Sequence, residues 1–170
     1  MLTTLFGRLT GTTMSADAAF DAITAQAREP AWYLEAHVPD TIDGRFAVLA
    51  TLLALTNIRL DQLGERGMAF GVALTERFVT VMESEHRELG LGDPTLGKTV
   101  RKLVGSLARR VGLWREAVDG VADWDAAAAQ SLYREPPTPD AIAPAGRLLK
   151  AFWSRLEAAD LAAFAKGEIA

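Results

Sequence analysis

The chain contains no cysteine, which excludes disulfides and thiolate chemistry and suits a reducing compartment. Histidine is almost as scarce. His37 and His86 are the only two, and neither belongs to an H-E-x-x-H motif or to a repeated Glu-x-x-His pattern of a helical metal site. Glu83 precedes His86 by three residues, but one such pair among many surface acids marks no site. Long apolar runs are absent too. The longest uncharged stretch, between Arg45 and Arg59, falls short of the roughly 20 residues that a membrane-spanning helix needs. Residues 1–14 hold one arginine and scattered Leu2, Leu5 and Phe6, without the continuous apolar region of a signal peptide. No segment alternates as a strand, and no repeat recurs. Gly105-Ser106-Leu107 lacks the second glycine and the strand context of a nucleophile elbow. No catalytic set, metal site or cofactor site is expected.

What the chain does have is helical periodicity from end to end. Its 170 residues fit one domain with a proper core. The expected fold is all-α, a single compact domain of about six or seven helices around a central apolar helix, spanning residues 15–170 behind a flexible segment over 1–14. Ser15 is placed to cap a first helix through Phe20, Ile23 and Ala27, which ends near Glu29-Pro30. A short helix holds Trp32, Tyr33 and Leu34; two adjacent aromatics cannot both point inward, so one belongs at or near the surface. Asp40 or Thr41 caps a helix over about 42–65 whose middle, from Phe46 to Leu55, is apolar on every side. Such a helix belongs at the centre of a fold. After Gly64 and Gly67, the residues Phe70, Leu74, Phe78 and Met82 mark a helix over about 68–89. Asp123-Trp124 opens an alanine-rich helix to Tyr133. Glu135-Pro-Pro-Thr-Pro-Asp140 reads as a linker. A last long helix carries Leu148, Leu149, Phe152, Trp153 and Leu156, and a further turn or two follows Asp160.

The stretch from Gly90 to Arg115 is the most informative. Leu96, Val100, Leu103, Val104, Leu107, Val111, Trp114 and Val118 form one stripe of an amphipathic helix, at about 100° per residue. Lys98, Arg101, Lys102 and Arg109 fall on the opposite face, with Arg110 and Arg115 at its flanks. No acid lies between Asp93 and Glu116. The whole chain carries a net charge of −4, which argues against general nucleic-acid binding, so this basic stripe is a local feature on an acidic protein. Gly105 and Gly112 also sit on the polar face, where a helix-interior glycine costs about 1 kcal/mol against alanine. They leave a smooth strip through which another backbone or a headgroup can approach. Gly92 to Thr99 satisfies the phosphate-loop pattern G-x-x-x-x-G-K-[ST]. A helix precedes it instead of a strand, however, and no buried strand follows to hold a magnesium ligand. The match is read as a decoy.

These residues carry a resemblance. Trp32-Tyr33, then Val38-Pro39-Asp40-Thr41 ahead of an apolar helix, then Glu88-Leu89-Gly90-Leu91-Gly92-Asp93 with Leu96-Gly97-Lys98 and the basic helix, and finally Leu132-Tyr133-Arg134, resemble the ubiquinol–cytochrome c chaperone family. That family tends to carry an aromatic residue and a glycine before an arginine where this chain has Ala108 and Arg109 before Arg110. The resemblance implies a non-enzymatic assembly factor, since mitochondrial members bind newly made cytochrome b near the ribosome and the inner membrane. It implies that Asp93, Gly97 and Lys98 shape and cap the start of the basic helix. Its N-terminal amides, with Lys98 and Lys102, would then hold an anionic group, and Arg109 and Arg110 would extend the patch. Trp32, or one of Phe152 and Trp153, would add exposed apolar surface for a client.

The resulting expectation is an assembly chaperone that binds a membrane-protein client, cytochrome b, during biogenesis of ubiquinol–cytochrome c reductase. It would work in the cytoplasm, peripheral to the inner membrane, with the ribosome or a small partner protein as further partners. The expected partner-binding set is Trp32, Asp93, Gly97, Lys98, Arg101, Lys102, Gly105, Arg109 and Arg110. The rivals are a ribosome- or RNA-binding module, a module for anionic membranes, and, less favoured, a nucleotide-binding protein through residues 92–99.

Overall fold

A computed structural model describes residues 15–88, 90 and 92–169, so the flexible segment expected over 1–14 lies outside the described residues. Among the described residues eight helices follow one another: α1 (Asp17–Ala27), α2 (Ala31–Leu34), α3 (Ile42–Gln62), α4 (Glu65–Glu88), α5 (Asp93–Val118), α6 (Trp124–Leu132), α7 (Pro139–Ala158) and α8 (Leu161–Lys166). The all-α architecture agrees with the helical periodicity. The count goes one beyond seven because the turn or two expected after Asp160 forms a separate six-residue helix, α8.

The architecture follows from α3. Leu52, Leu53, Ala54 and Leu55 are consecutive and all fully buried, so together they require cover around the whole circumference of the helix. That cover comes from α1, α4, α5, α6 and α7, each of which packs against α3. Burying a leucine side chain stabilises the fold by about 1.5–3 kcal/mol. The two polar residues in this stretch cost nothing in unmet hydrogen bonds. Thr51 Oγ1 and Thr56 Oγ1 donate to the carbonyls of Ala47 (2.7 Å) and Leu52 (2.9 Å), four residues back along the helix.

Local chemistry sets the ends of the helices. Thr41 caps α3 by accepting from the Gly44 amide (3.1 Å). Asp123 and Asp160 cap α6 and α8 by accepting from the Ala126 and Ala163 amides, both at 2.8 Å. Ser15 lies one residue ahead of the α1 cap position, which Ala16 occupies. The basic helix begins at Asp93, three residues before the apolar stripe does, with Pro94 in its first turn, where a missing N–H is no loss. Between α3 and α4, Gly64 adopts φ +81°, a left-handed turn that favours glycine. The helices then close so tightly that a Cβ on Gly67 would stand 2.1 Å from the Leu60 carbonyl oxygen.

Two consequences are measurable by chemical denaturation. Leu53→Ala should cost about 2–5 kcal/mol, the usual range for a buried leucine that leaves a cavity. Gly67→Ala should cost as much as severe overpacking does, about 3 kcal/mol, because the obstacle is backbone and cannot rotate away.

Candidate functional site

The exposed face of α5 forms a ridge between two grooves. Lys98, Arg101, Lys102, Arg109, Gly105 and Gly112 are all exposed. Among the described residues, the ion pairs are Arg45–Asp40, Arg77–Asp17, Arg115–Asp61 and Arg134–Asp43. None involves Lys98, Arg101, Lys102 or Arg109, and Glu83, Glu85 and Glu88 on α4 do not neutralise them. A Cβ added at Gly105 or Gly112 would meet nothing within 4 Å. Neither glycine is needed for packing, and each leaves a gap in the ridge. At Gly97, which is half-buried in the second turn of α5, an added Cβ would have only Arg101 Nη1 nearby, at 3.8 Å.

The apparent phosphate loop is helix. Gly92 is the cap residue, in extended conformation (φ −73°, ψ 159°), and residues 93–99 already belong to α5. Their amides are laid along the helix axis and cannot wrap around a phosphate. α4 stands where a strand would be required, and no strand occurs among the described residues. The cap position is thus Gly92 and not Asp93, whose side chain falls outside what is described. Nor do three or more of His, Asp and Glu converge as metal ligands among the described residues.

One groove, of about 600 Å³, lies between α3, α4 and α5 and is mostly apolar. Met68, Gly71 and Val72 form one wall, and Val104, Ala108 and Val111 the other. Met68 and Val72 are 45% and 59% exposed. The other groove, of about 1630 Å³, is the more polar of the two. Lys102, Ser106, Arg109 and Arg110 line it from α5, while the opposite wall combines the start of α3 with residues 130–138. His37, at φ +51°, sits on its rim.

Beneath the polar groove runs a buried hydrogen-bond chain that ties three helices together. Trp114 Nε1 donates to Ser131 Oγ (3.0 Å), which lies 2.5 Å from Thr51 Oγ1. Thr51 spends its single hydroxyl proton on the Ala47 carbonyl, so Ser131 donates to Thr51 and every group is satisfied. The edge of Trp114 meets Trp124 with ring centroids 5.0 Å apart. Arg110 joins the same cluster. It is 6% exposed, and its Nη2 donates to the Ser131 carbonyl (2.8 Å) near the C-terminal end of α6. Its Nη1 donates to the Ser106 carbonyl and hydroxyl, and its guanidinium lies 5.8 Å from the centre of the Phe46 ring. Burial, with the charge of Arg109 adding to it, pulls the Arg110 pKa down to about 10.

Three expectations therefore need correction. Arg110 is not part of the outer basic face; it turns inward, 60° of helix rotation from Leu107, and forms the floor of the groove. Trp32 is 0% exposed, with its indole N–H donating to the Gln26 carbonyl (2.9 Å), while Tyr33 is the half-buried member of that pair. Phe152 and Trp153 are core residues as well. None of these three aromatics offers client-binding surface, and the exposed apolar side chains beside α5 are Met68 and Val72. The sequence pattern also gave no sign that residues 130–138 fold back to face α5. The usable signal was Ser106 placed four residues before Arg110, the spacing of neighbours on a helix.

Three substitutions separate support from surface. Ser131→Ala should cost about 1–3 kcal/mol by stranding the Trp114 N–H. Gly105→Ala and Gly112→Ala should each raise stability by about 1 kcal/mol. Denaturant titration reads all three.

Comparison with known proteins agrees with this fold. No curated protein sequence matches the chain. Among solved structures, the crystal structure of the Cbp3 homolog from Brucella abortus superposes with a TM-score of 0.74 at 26% identity, over 100% of this chain and 96% of that one. The family model for ubiquinol-cytochrome C chaperone matches residues 34–170, which takes in α3 to α8 and both grooves. The chain belongs to the ubiquinol–cytochrome c chaperone family.

Proposed function

We propose that this protein is a non-enzymatic assembly chaperone whose client is a membrane protein, cytochrome b, during biogenesis of ubiquinol–cytochrome c reductase. The client contact we assign to the exposed face of α5. Family membership supports the chaperone role, and the observation that carries the contact is the pairing of a cationic ridge, without ion pairs among the described residues, with an apolar groove beside it. A membrane segment that has not yet inserted exposes apolar side chains and needs cover from water. The groove with Met68 and Val72 supplies such cover. Lys98, Arg101, Lys102 and Arg109 face the polar flanks of that segment and the anionic headgroups of the membrane. Gly105 and Gly112 let a client backbone come close to α5. Among the described residues no helix is long and apolar enough to cross a membrane, and we place the protein at the cytoplasmic face of the inner membrane as a peripheral component.

The test is affinity capture from detergent-solubilised membranes of the native host. Wild type is compared with a Lys98→Glu, Lys102→Glu, Arg109→Glu variant and with Met68→Glu, Val72→Glu. Wild type should recover cytochrome b, and each folded variant should lose it by about tenfold or more. Failure of the wild type to recover cytochrome b would remove the client assignment. Binding of RNA that falls steeply with salt, or of anionic vesicles alone, would instead assign the basic ridge to one of those partners.

A further inference from the structure

Among the described residues, no carboxylate contacts the buried cation Arg110. All its hydrogen bonds go to neutral acceptors, Ser106 and the Ser131 carbonyl, and its Nε–H has no acceptor at all. The C-terminal end of α6 offsets at most about half a unit of its charge. A charge held out of water without a counterion costs the fold several kcal/mol, and an arriving anion would recover part of that cost. Arg110 lines the polar groove together with Arg109 and Lys102. The two acids of that groove do not supply the missing partner. Asp43 is committed to Arg134 at 2.6 Å, and Glu135 is exposed.

We propose that the groove between α5, the start of α3 and residues 130–138 binds an acidic peptide segment, seating one of its carboxylates against the guanidinium of Arg110 beside that of Arg109. The chemistry of the walls favours peptide over lipid. The volume of about 1630 Å³ exceeds the roughly 300–1,000 Å³ of small-molecule sites. Gln130 and Thr138 offer hydrogen bonds to a main chain, and Phe46, Leu103 and Leu113 offer apolar contact between them. A headgroup fixed in a bilayer plane cannot descend to a floor walled on both sides, whereas a flexible aspartate or glutamate side chain can. Arginine also pairs with carboxylates through parallel hydrogen bonds, which adds geometric selectivity to charge. The inference deepens the chaperone reading and rests on it only for the source of the peptide.

The experiment is fluorescence anisotropy on the full chain. The probes are a labelled Gly-Ser-Ala peptide with a central Glu-Asp pair and its Gln-Asn counterpart. The acidic peptide should bind about tenfold or more tighter than the amide peptide, in line with a charge-assisted hydrogen bond. Arg110→Gln should erase that preference and Arg109→Gln should reduce it. If Arg110→Gln does not fold, as judged by circular dichroism, the acid-to-amide comparison in wild type and in Arg109→Gln carries the test alone. Equal binding of the two peptides would overturn the proposal, as would a full acidic preference in folded Arg110→Gln. Arg110-dependent binding of phosphatidylglycerol vesicles without peptide binding would overturn it too, and would name a lipid phosphate instead. Capture of cytochrome b from membranes with no peptide preference would remove this site and leave the chaperone reading standing; the reverse pair of results would keep the site and remove the client.

Discussion

A helix with apolar side chains all around cannot lie on a surface, and this single constraint on α3 organises the molecule. Leu52, Leu53 and Leu55 point in different directions and are all fully buried, so helices must be supplied on every side. α1, α4, α5, α6 and α7 supply them, and each thereby has one face committed inward and one left for solvent. The amphipathicity of α5 follows from that position. Its stripe of Leu96, Val100, Leu107 and Trp114 is buried, and its opposite face is left to carry charge.

The ends of the chain of hydroxyls beneath the polar groove explain why the site side of α5 is stiff. Trp114, Ser131 and Thr51 come from α5, α6 and α3, and each hydrogen bond depends on the next. In a low-dielectric interior such networks hold their members to one arrangement when every group is satisfied. Arg110 is anchored to the same serine through its carbonyl. The guanidinium is therefore set in place by the core and not by solvent, unlike Lys98 or Arg101 on the ridge. One helix thus carries two kinds of cation, exposed ones outside and a hydrogen-bonded, buried one below.

Much of this was legible in the sequence, for reasons that particular residues make plain. Asp123 and Thr41 announce helix starts because their side chains can accept the amides left free there. The central place of α3 follows from its apolar circumference. The direction of Arg110 was harder, because sorting a helix by charge sends every arginine outward, while the backbone angle puts this one near Leu107. Trp32, Phe152 and Trp153 show the other limit. An aromatic residue looks the same in a pattern whether a neighbouring helix covers it or not, and here α2 and α7 both face inward. The polar groove had no signature at all, since its walls come from segments distant in the chain that only tertiary packing brings together.

The far wall of that groove is braced. Tyr133 donates its hydroxyl to the Ala36 carbonyl, and burial pushes its phenol up to about 12, so it stays a donor at any physiological pH. Arg134 grips Asp43 at the start of α3, and Pro136 and Pro137 restrict the backbone that follows. These ties join Tyr133 and Arg134 to the α2–α3 connection and to the start of α3. An acidic segment docking as proposed would meet a wall already in place, and the protein would lose little freedom of its own on capture. Release would then depend on how quickly the segment leaves, and a competing set of charges that draws its carboxylates away would be enough to empty the groove.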